Sequence, residues 1–274
     1  MQLKAAICAC LLLLLNAPGL AAGPFSDKPH GKDFSSSVHS HSEVPMPVLP
    51  ARYLRAVRNA ATATEDSISR NLTAILPSNQ KLIWKGEGQN RRILMTTWTT
   101  RKNYFVSDQQ PLGRDFTEQH TVWVTAAPEL RDFCSRYQPG KDGKSLTRRL
   151  EELLGLPPHS GHRFVIELWV HPKDLFRPSA DPEITDHEAQ LEFPEVRGFI
   201  SVSNEYRRWY RTTADARYRP QTGPAYPWTR LGYTYDWGND KTRVGLSEFV
   251  IREGAEISVN SVTPTDDYMI STEP

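Results

Sequence analysis

The side chains of this 274-residue chain that could do chemistry crowd toward its C-terminal third. Trp209, Tyr210, Tyr218, Tyr226, Trp228, Tyr233, Tyr235 and Trp237 all fall between Trp209 and Phe249. Rings of this size bury large areas in a core. The same rings at a surface form a groove in which sugars or a nicotinamide stack, and the residues alone leave both readings open. Tyr233 and Tyr235 share one face of a strand, and Glu248 lies on the apolar stretch that follows. His159 and His162 have the spacing of two metal ligands, but they flank Ser160-Gly161 in a turn without an obvious third ligand. Asp181, Glu183, Asp186 and His187 make an acidic stretch. Oxygen-rich loops suit Ca²⁺, yet this spacing is not an EF-hand and a solvated loop accounts for it. No metal site is expected.

Several common sites are absent from the sequence. There is no His-Glu-x-x-His pair of zinc ligands on a helix. Gly245-Leu246-Ser247-Glu248-Phe249 lacks the second glycine of a nucleophile elbow. No phosphate loop, dinucleotide fingerprint or Cys-x-x-Cys is present. Cys134, in Arg131-Asp132-Phe133-Cys134, reads as a half-buried helix residue and not as a nucleophile.

These residues must be carried by short strands and interspersed helices. Pro50 and Pro77 bracket a helical pattern in which Leu54, Val57, Ala61, Ile68, Leu72 and Ile75 recur on one face, predicting an amphipathic helix over 51–77. Its apolar face is either core or a docking surface for a partner. Lys81–Trp84, Ile93–Thr99 and Thr121–Thr125 read as strands. Pro128 opens a helix to Tyr137, and Ser145 caps a second one through Leu154. Arg163–Val170 and Phe199–Val202 read as strands, and Asn204 starts a helical stretch. Arg230–Trp237 and Val244–Ile251 read as a hairpin about Gly238-Asn239-Asp240, and Glu256–Val259 as a last strand. The mixed order predicts an α+β fold: one mixed or antiparallel, β-rich domain with several short helices over 78–274.

On these elements the order of parts resembles the mono-ADP-ribosyltransferase toxins, over roughly residues 90–260. Arg101 follows the strand ending at Thr99, Thr121 and Thr125 lie in a strand before a helix, and Glu248-Phe249-Val250-Ile251-Arg252-Glu253-Gly254-Ala255 looks like the family's late strand and turn after its catalytic Glu. The resemblance implies NAD as substrate and cleavage of its nicotinamide–ribose bond. Breaking that bond builds positive charge on the ribose, as in glycoside hydrolysis. A carboxylate beside the carbon stabilises the charge, an Arg fork suits the pyrophosphate, and a Thr hydroxyl can steady the acid. Glu248, Arg101 and Thr125 would fill these catalytic roles. Tyr233, Tyr235, Trp237 and Trp228 would line the substrate groove. Leu246 stands where arginine-modifying members carry Glu or Gln, so the resemblance does not extend to arginine as acceptor.

The N-terminus predicts export. Lys4 precedes an apolar run from Ala5 to Leu15, and Asn16, Pro18 and Gly19 break it before Leu20-Ala21-Ala22, the layout of a cleaved secretory signal over 1–22. The run is shorter than the ~20 residues of a membrane span. Cleavage would leave Cys134 as the sole cysteine, so the domain must stand on its core without an intramolecular disulfide. Residues 23–50, rich in Ser, His and Pro, read as a flexible linker. With 33 Lys+Arg against 32 Asp+Glu, the composition gives no electrostatic case for a nucleic-acid binder. Three readings remain: an exported NAD-consuming transferase or glycohydrolase, an exported carbohydrate-binding module, and a non-enzymatic envelope protein that docks on a partner. Whether any acceptor is a carbohydrate or a protein is open.

Overall fold

The computed structural model describes residues 48–100, 112–140, 143–194 and 202–268. Their order is α1 (Ala51–Ala61), β1 (Trp84–Lys85), β2 (Arg92–Thr99), β3 (Asp115–Thr117), β4 (Val122–Ala126), α2 (Ala127–Arg136), α3 (Leu146–Leu153), β5 (Phe164–Val170), β6 (Leu175–Phe176), α4 (Asn204–Tyr218), β7 (Tyr233–Tyr235), β8 (Val244–Ser247), β9 (Phe249–Ile251), β10 (Glu256–Pro264) and α5 (Thr265–Tyr268). The fold is α+β. Its main sheet runs β3-β10-β5-β2-β4-β9-β6, with β1 also on β2, and every pairing is antiparallel. β7 and β8 form a separate ribbon.

Strand alternation sorts the core into two faces. Ile93 and Met95, Val122, Val124 and Ala126, Ile166, Leu168 and Val170, Phe249 and Ile251, and Ile257 and Val259 point to one face, where loop residues such as Ile75 and Leu82 cover them. On the opposite face Trp98 and Val165 pack against Leu130 and Cys134 of α2, Leu146, Leu150 and Leu153 of α3, and Tyr268 of α5. Glu167 points to this helical face. It accepts both Arg131 bonds at 2.7 Å together with Tyr268, Asn260 and Ser261, tying α2, β5, β10 and α5 together. Burial alone would favour its protonation. The Arg131 bonds and charge outweigh burial and hold Glu167 below the usual range.

The predicted 51–77 helix is shorter, and of its expected face within α1 only Val57 packs inward. α1 ends at Ala61, and its buried residues are Tyr53, Ala56 and Ala60, while Leu54 is 42% exposed. Thr64 and Ser67 cap a 3-10 turn over Glu65–Ser67, a local alternative that stops the helix from continuing. Leu72 and Ile75 are buried by an extended segment whose N–H groups donate to His187 and Ile184 carbonyls. The strands at 93–99, 121–125, 163–170 and 256–259 and the helices from 128, 146 and 204 are present within a few residues of expectation. The expected hairpin survives as β7–β8 pairing, and Val244–Ile251 breaks at Glu248 into β8 and β9. Of the expected Phe199–Val202 strand, 199–201 lie outside the described residues, as do the predicted signal and nearly all of the linker; Val202 is not in a strand. Among the described residues no helix is long and apolar enough to cross a membrane.

Candidate active site

The site is created by a split in the sheet. β2 and β4 pair only at Met95–Ala126 and Thr96–Thr125. β2 continues along β5 to Thr99–Phe164, whereas β4 follows β9 from Val124–Phe249 to Val122–Ile251. The two halves of the sheet therefore part beyond Thr96. A cavity of about 280 Å³ occupies the opening, near the lower end of small-molecule sites. Its walls are Thr96–Thr99 of β2, Thr121 and Val122–Thr125 of β4, closed by Leu130, Leu154–Leu156, His162, Arg217, Tyr226–Trp228, Thr234, Tyr235 and Glu248.

Glu248 is fixed by its backbone neighbours. Phe249 enters the core opposite Val124, which turns Glu248 to the face of Trp123 and Thr125. The Glu248 N–H donates to the Gly232 carbonyl at 2.9 Å. The Ser247 N–H donates to Glu129 Oε2 of α2 at 2.9 Å, and the Thr73 N–H to Ser247 Oγ at 2.8 Å. Leu246 N–H donates to Thr234 Oγ1, which itself donates to the Leu153 carbonyl at the end of α3. Gly245 makes this approach possible: a Cβ there would meet Thr234 Oγ1 at 2.3 Å and Leu153 O at 2.6 Å. The catalytic candidate thus sits on a segment clamped from the ribbon, α2, α3 and the 68–75 segment.

Several polar atoms in the cavity wall are left without partners. Thr125 Oγ1, Glu248 Oε2 and Trp228 Nε1 are each shut off from solvent with no hydrogen bond among the described residues. Such atoms cost about 1–3 kcal/mol each when left unpaired, and these three belong to residues that line one hollow. Burial pushes the Glu248 carboxyl up to about 8, with the Arg217 charge acting against it. Arg217 comes from α4, and its guanidinium lies 5.2 Å from the Trp123 ring and 5.0 Å from the Tyr226 ring. The cleft therefore combines an acid whose pKa burial raises, the Arg217 guanidinium, aromatic walls and unpaired hydroxyl and indole groups.

Of the residues expected from sequence, Glu248, Thr125, Trp228 and Tyr235 line this cleft. Tyr233 does not: it is buried under Leu72 and Leu231, and its hydroxyl donates to the Ser67 carbonyl at 2.6 Å. Trp237 packs edge-on against Tyr53 at 5.5 Å and donates to the Leu156 carbonyl, behind the cleft wall. Arg101 lies outside the described residues. The aromatic block is mostly core, as Trp228, Tyr233, Tyr235 and Trp237 are all buried. Trp209 is half-buried and meets Trp228 at 71°, so these rings do not form a flat exposed platform. Cys134 is fully buried, and burial pushes its thiol up to about 12, away from any thiolate chemistry.

Sequence reasoning did not single out Arg217, Trp123 or Glu129. Arg217 is one of several arginines on α4 and carries no distinguishing spacing. Glu129 follows Pro128 in the first turn of α2, where an acid is ordinarily a helix-end charge. The acidic stretch at 181–186 brings Asp181, Glu183 and Asp186 within ligand distance of one another, but Asp186 accepts a 2.9 Å bond from the fully buried Arg177. That loop is held by a guanidinium, which also reaches the Glu188, Asp186 and Thr73 carbonyls. Family models, curated proteins and solved structures give no match to this chain.

Proposed function

We propose that the protein is an exported NAD-consuming enzyme, a glycohydrolase or ADP-ribosyltransferase, working in the cleft between β2 and β4. The observation that supports this most is that Glu248, Thr125 and Trp228, each with a buried polar atom left unpaired among the described residues, line one aromatic-walled hollow. The nicotinamide riboside end of NAD has the matching chemistry. Its pyridinium is a flat cation, its carboxamide oxygen accepts a hydrogen bond, and its ribose hydroxyls donate.

In this reading the pyridinium lies against the aromatic wall and Trp228 Nε1–H donates to the carboxamide. The positive ligand draws the Glu248 proton off, because an opposite charge nearby favours the carboxylate. When the bond between ribose C1′ and the nicotinamide nitrogen breaks, the electron pair stays with nicotinamide. The positive charge passes to the ribose, where Glu248 meets it. Thr125 Oγ1–H donates to Glu248 or to a ribose hydroxyl. Arg217 supplies a fork for the pyrophosphate, a role the sequence assigned to Arg101.

Binding separates this reading from a carbohydrate module. NAD, nicotinamide mononucleotide and chito-oligosaccharides are titrated into the protein while tryptophan fluorescence is followed. NAD and the mononucleotide are expected to quench Trp123 and Trp228, with the quench weakened by Glu248→Ala. Binding of the glycans without NAD would overturn the reading.

A further inference from the structure

His162 enters the same cleft from the turn before β5 and is tied to a buried acid through a serine. Ser160 donates both its N–H and its Oγ–H to Glu151 Oε1, at 2.8 and 3.2 Å. A serine hydroxyl has one proton. With that proton committed to Glu151, Ser160 Oγ must accept the 2.9 Å bond it shares with His162 Nδ1. The neutral ring then carries its proton on Nδ1 and presents Nε2 as a bare lone pair. Nε2 makes no hydrogen bond among the described residues, and the ring is held against Trp98, centroids 5.1 Å apart, with Trp98 anchored to Thr265 Oγ1. Glu151 is buried on α3, and its second oxygen lies 3.7 Å from Arg148 Nη1.

We infer that His162 is the general base of this cleft, taking the proton from the water that attacks ribose C1′, with Glu151 and Ser160 as positioning residues. The inference rests on the cleft being the NAD-cleaving site. The step balances. The C1′–nicotinamide bond breaks with its electron pair on nicotinamide, the water oxygen bonds C1′, and the water proton passes to His162 Nε2. The products are ADP-ribose and neutral nicotinamide, and His162 returns its proton to solvent. The surroundings keep the imidazole unprotonated and ready. Burial lowers its pKa, and Ser160 and the Glu151 charge only partly offset this. Glu248 and Arg217 line the same cleft, and Arg148, Glu151, His159, Arg163 and Asp266 line a second hollow that His162 also borders.

The test compares nicotinamide release from NAD by the wild type, His162→Ala and Glu151→Gln. His162→Ala is expected to lower kcat by roughly 100-fold or more with little change in KM, and added imidazole to restore at least about tenfold of the loss, which a merely structural histidine would not allow. Glu151→Gln should lower kcat less and move the acidic limb of the pH profile. Nitrogen NMR of the wild type should show the Nδ1–H tautomer whether or not the variants fold. Wild-type turnover that survives in His162→Ala, or an Nε2–H tautomer, overturns the role of His162 and leaves the NAD reading standing. A wild type that does not cleave NAD overturns both.

Discussion

Glu129 Oε2 accepts the backbone N–H of Ser247 at 2.9 Å, so the first turn of α2 grips the residue immediately before Glu248. The bond spans 118 residues of sequence and is made by a half-buried acid whose other oxygen has no partner among the described residues. Burial raises the Glu129 pKa, while bonds from Thr73 and Ser247 and the Arg177 charge pull it down. The site acid is therefore aimed by a second acid that does not line the cleft.

Replacement of Glu129 tests that grip. Glu129→Ala leaves the Ser247 N–H without its partner, and the expected cost is about 1–3 kcal/mol of stability, together with a loss of turnover. Glu129→Gln keeps an acceptor oxygen and should retain most of both. Chemical denaturation beside nicotinamide release checks the pair.

Glu248 should make stability depend on pH in a defined direction. Its folded pKa of about 8 lies above the ordinary glutamate value. Between the two values the folded state holds a proton that the unfolded state has lost, so stability falls as pH rises from about 4.5 to about 8 and levels off above. Glu248→Gln cannot ionise. The variant should match the wild type near pH 5 and exceed it at pH 8.5, by on the order of 4 kcal/mol. Melting temperatures of the two proteins across this range decide it, and equal curves would contradict the assignment.

The same carboxyl should shape catalysis. If the cleft cleaves NAD as proposed, Glu248 loses its proton to meet the ribose cation, and kcat/KM for NAD should climb as pH rises through about 8. In the complex the pyridinium favours the carboxylate, so the kcat limb should lie at lower pH. A pair of pH–rate profiles measures the separation.

Gly245 predicts a steric effect. A methyl group there meets Thr234 and the end of α3 well inside contact distance. Gly245→Ala should destabilise by about 1–3 kcal/mol and reduce turnover by displacing Glu248. Gly254, where a Cβ meets nothing, provides the comparison site, apart from its positive φ of 79°.

Among the described residues Arg177 is the largest side chain that is fully buried. Desolvation lowers its pKa, and Asp186, Glu183 and Asp181 oppose that shift. Removing it leaves several carbonyls and Asp186 without their donor, so Arg177→Ala should cost about 3–5 kcal/mol. Urea denaturation measures it.

Much of the fold was legible because strands such as 93–99 and 163–170 advertise themselves by β-branched and aromatic runs between turns, and α3 by its serine cap and leucine spacing. The 51–77 helix misread two segments as one. Leu72 and Ile75 do face the core, but from an extended chain that pairs with 184–187, a contact no local period reveals. Glu248 and Thr125, singled out through a resemblance in the order of parts, do line one cavity. Tyr233 and Trp237 were not separable from Tyr235 and Trp228, because which ring meets the cleft depends on how the ribbon packs on α1 and α3. Arg217 and the Glu151–Ser160–His162 relay required the tertiary structure, since their meaning lies in contacts between distant elements.

The most direct measurement is release of nicotinamide from NAD by the purified protein beside Glu248→Gln. Time-dependent release by the wild type and its loss by several orders of magnitude in a folded Glu248→Gln protein is the predicted result. Equal release by the two proteins, or none from wild type that binds NAD, would contradict the assignment of Glu248 and of the cleft it occupies.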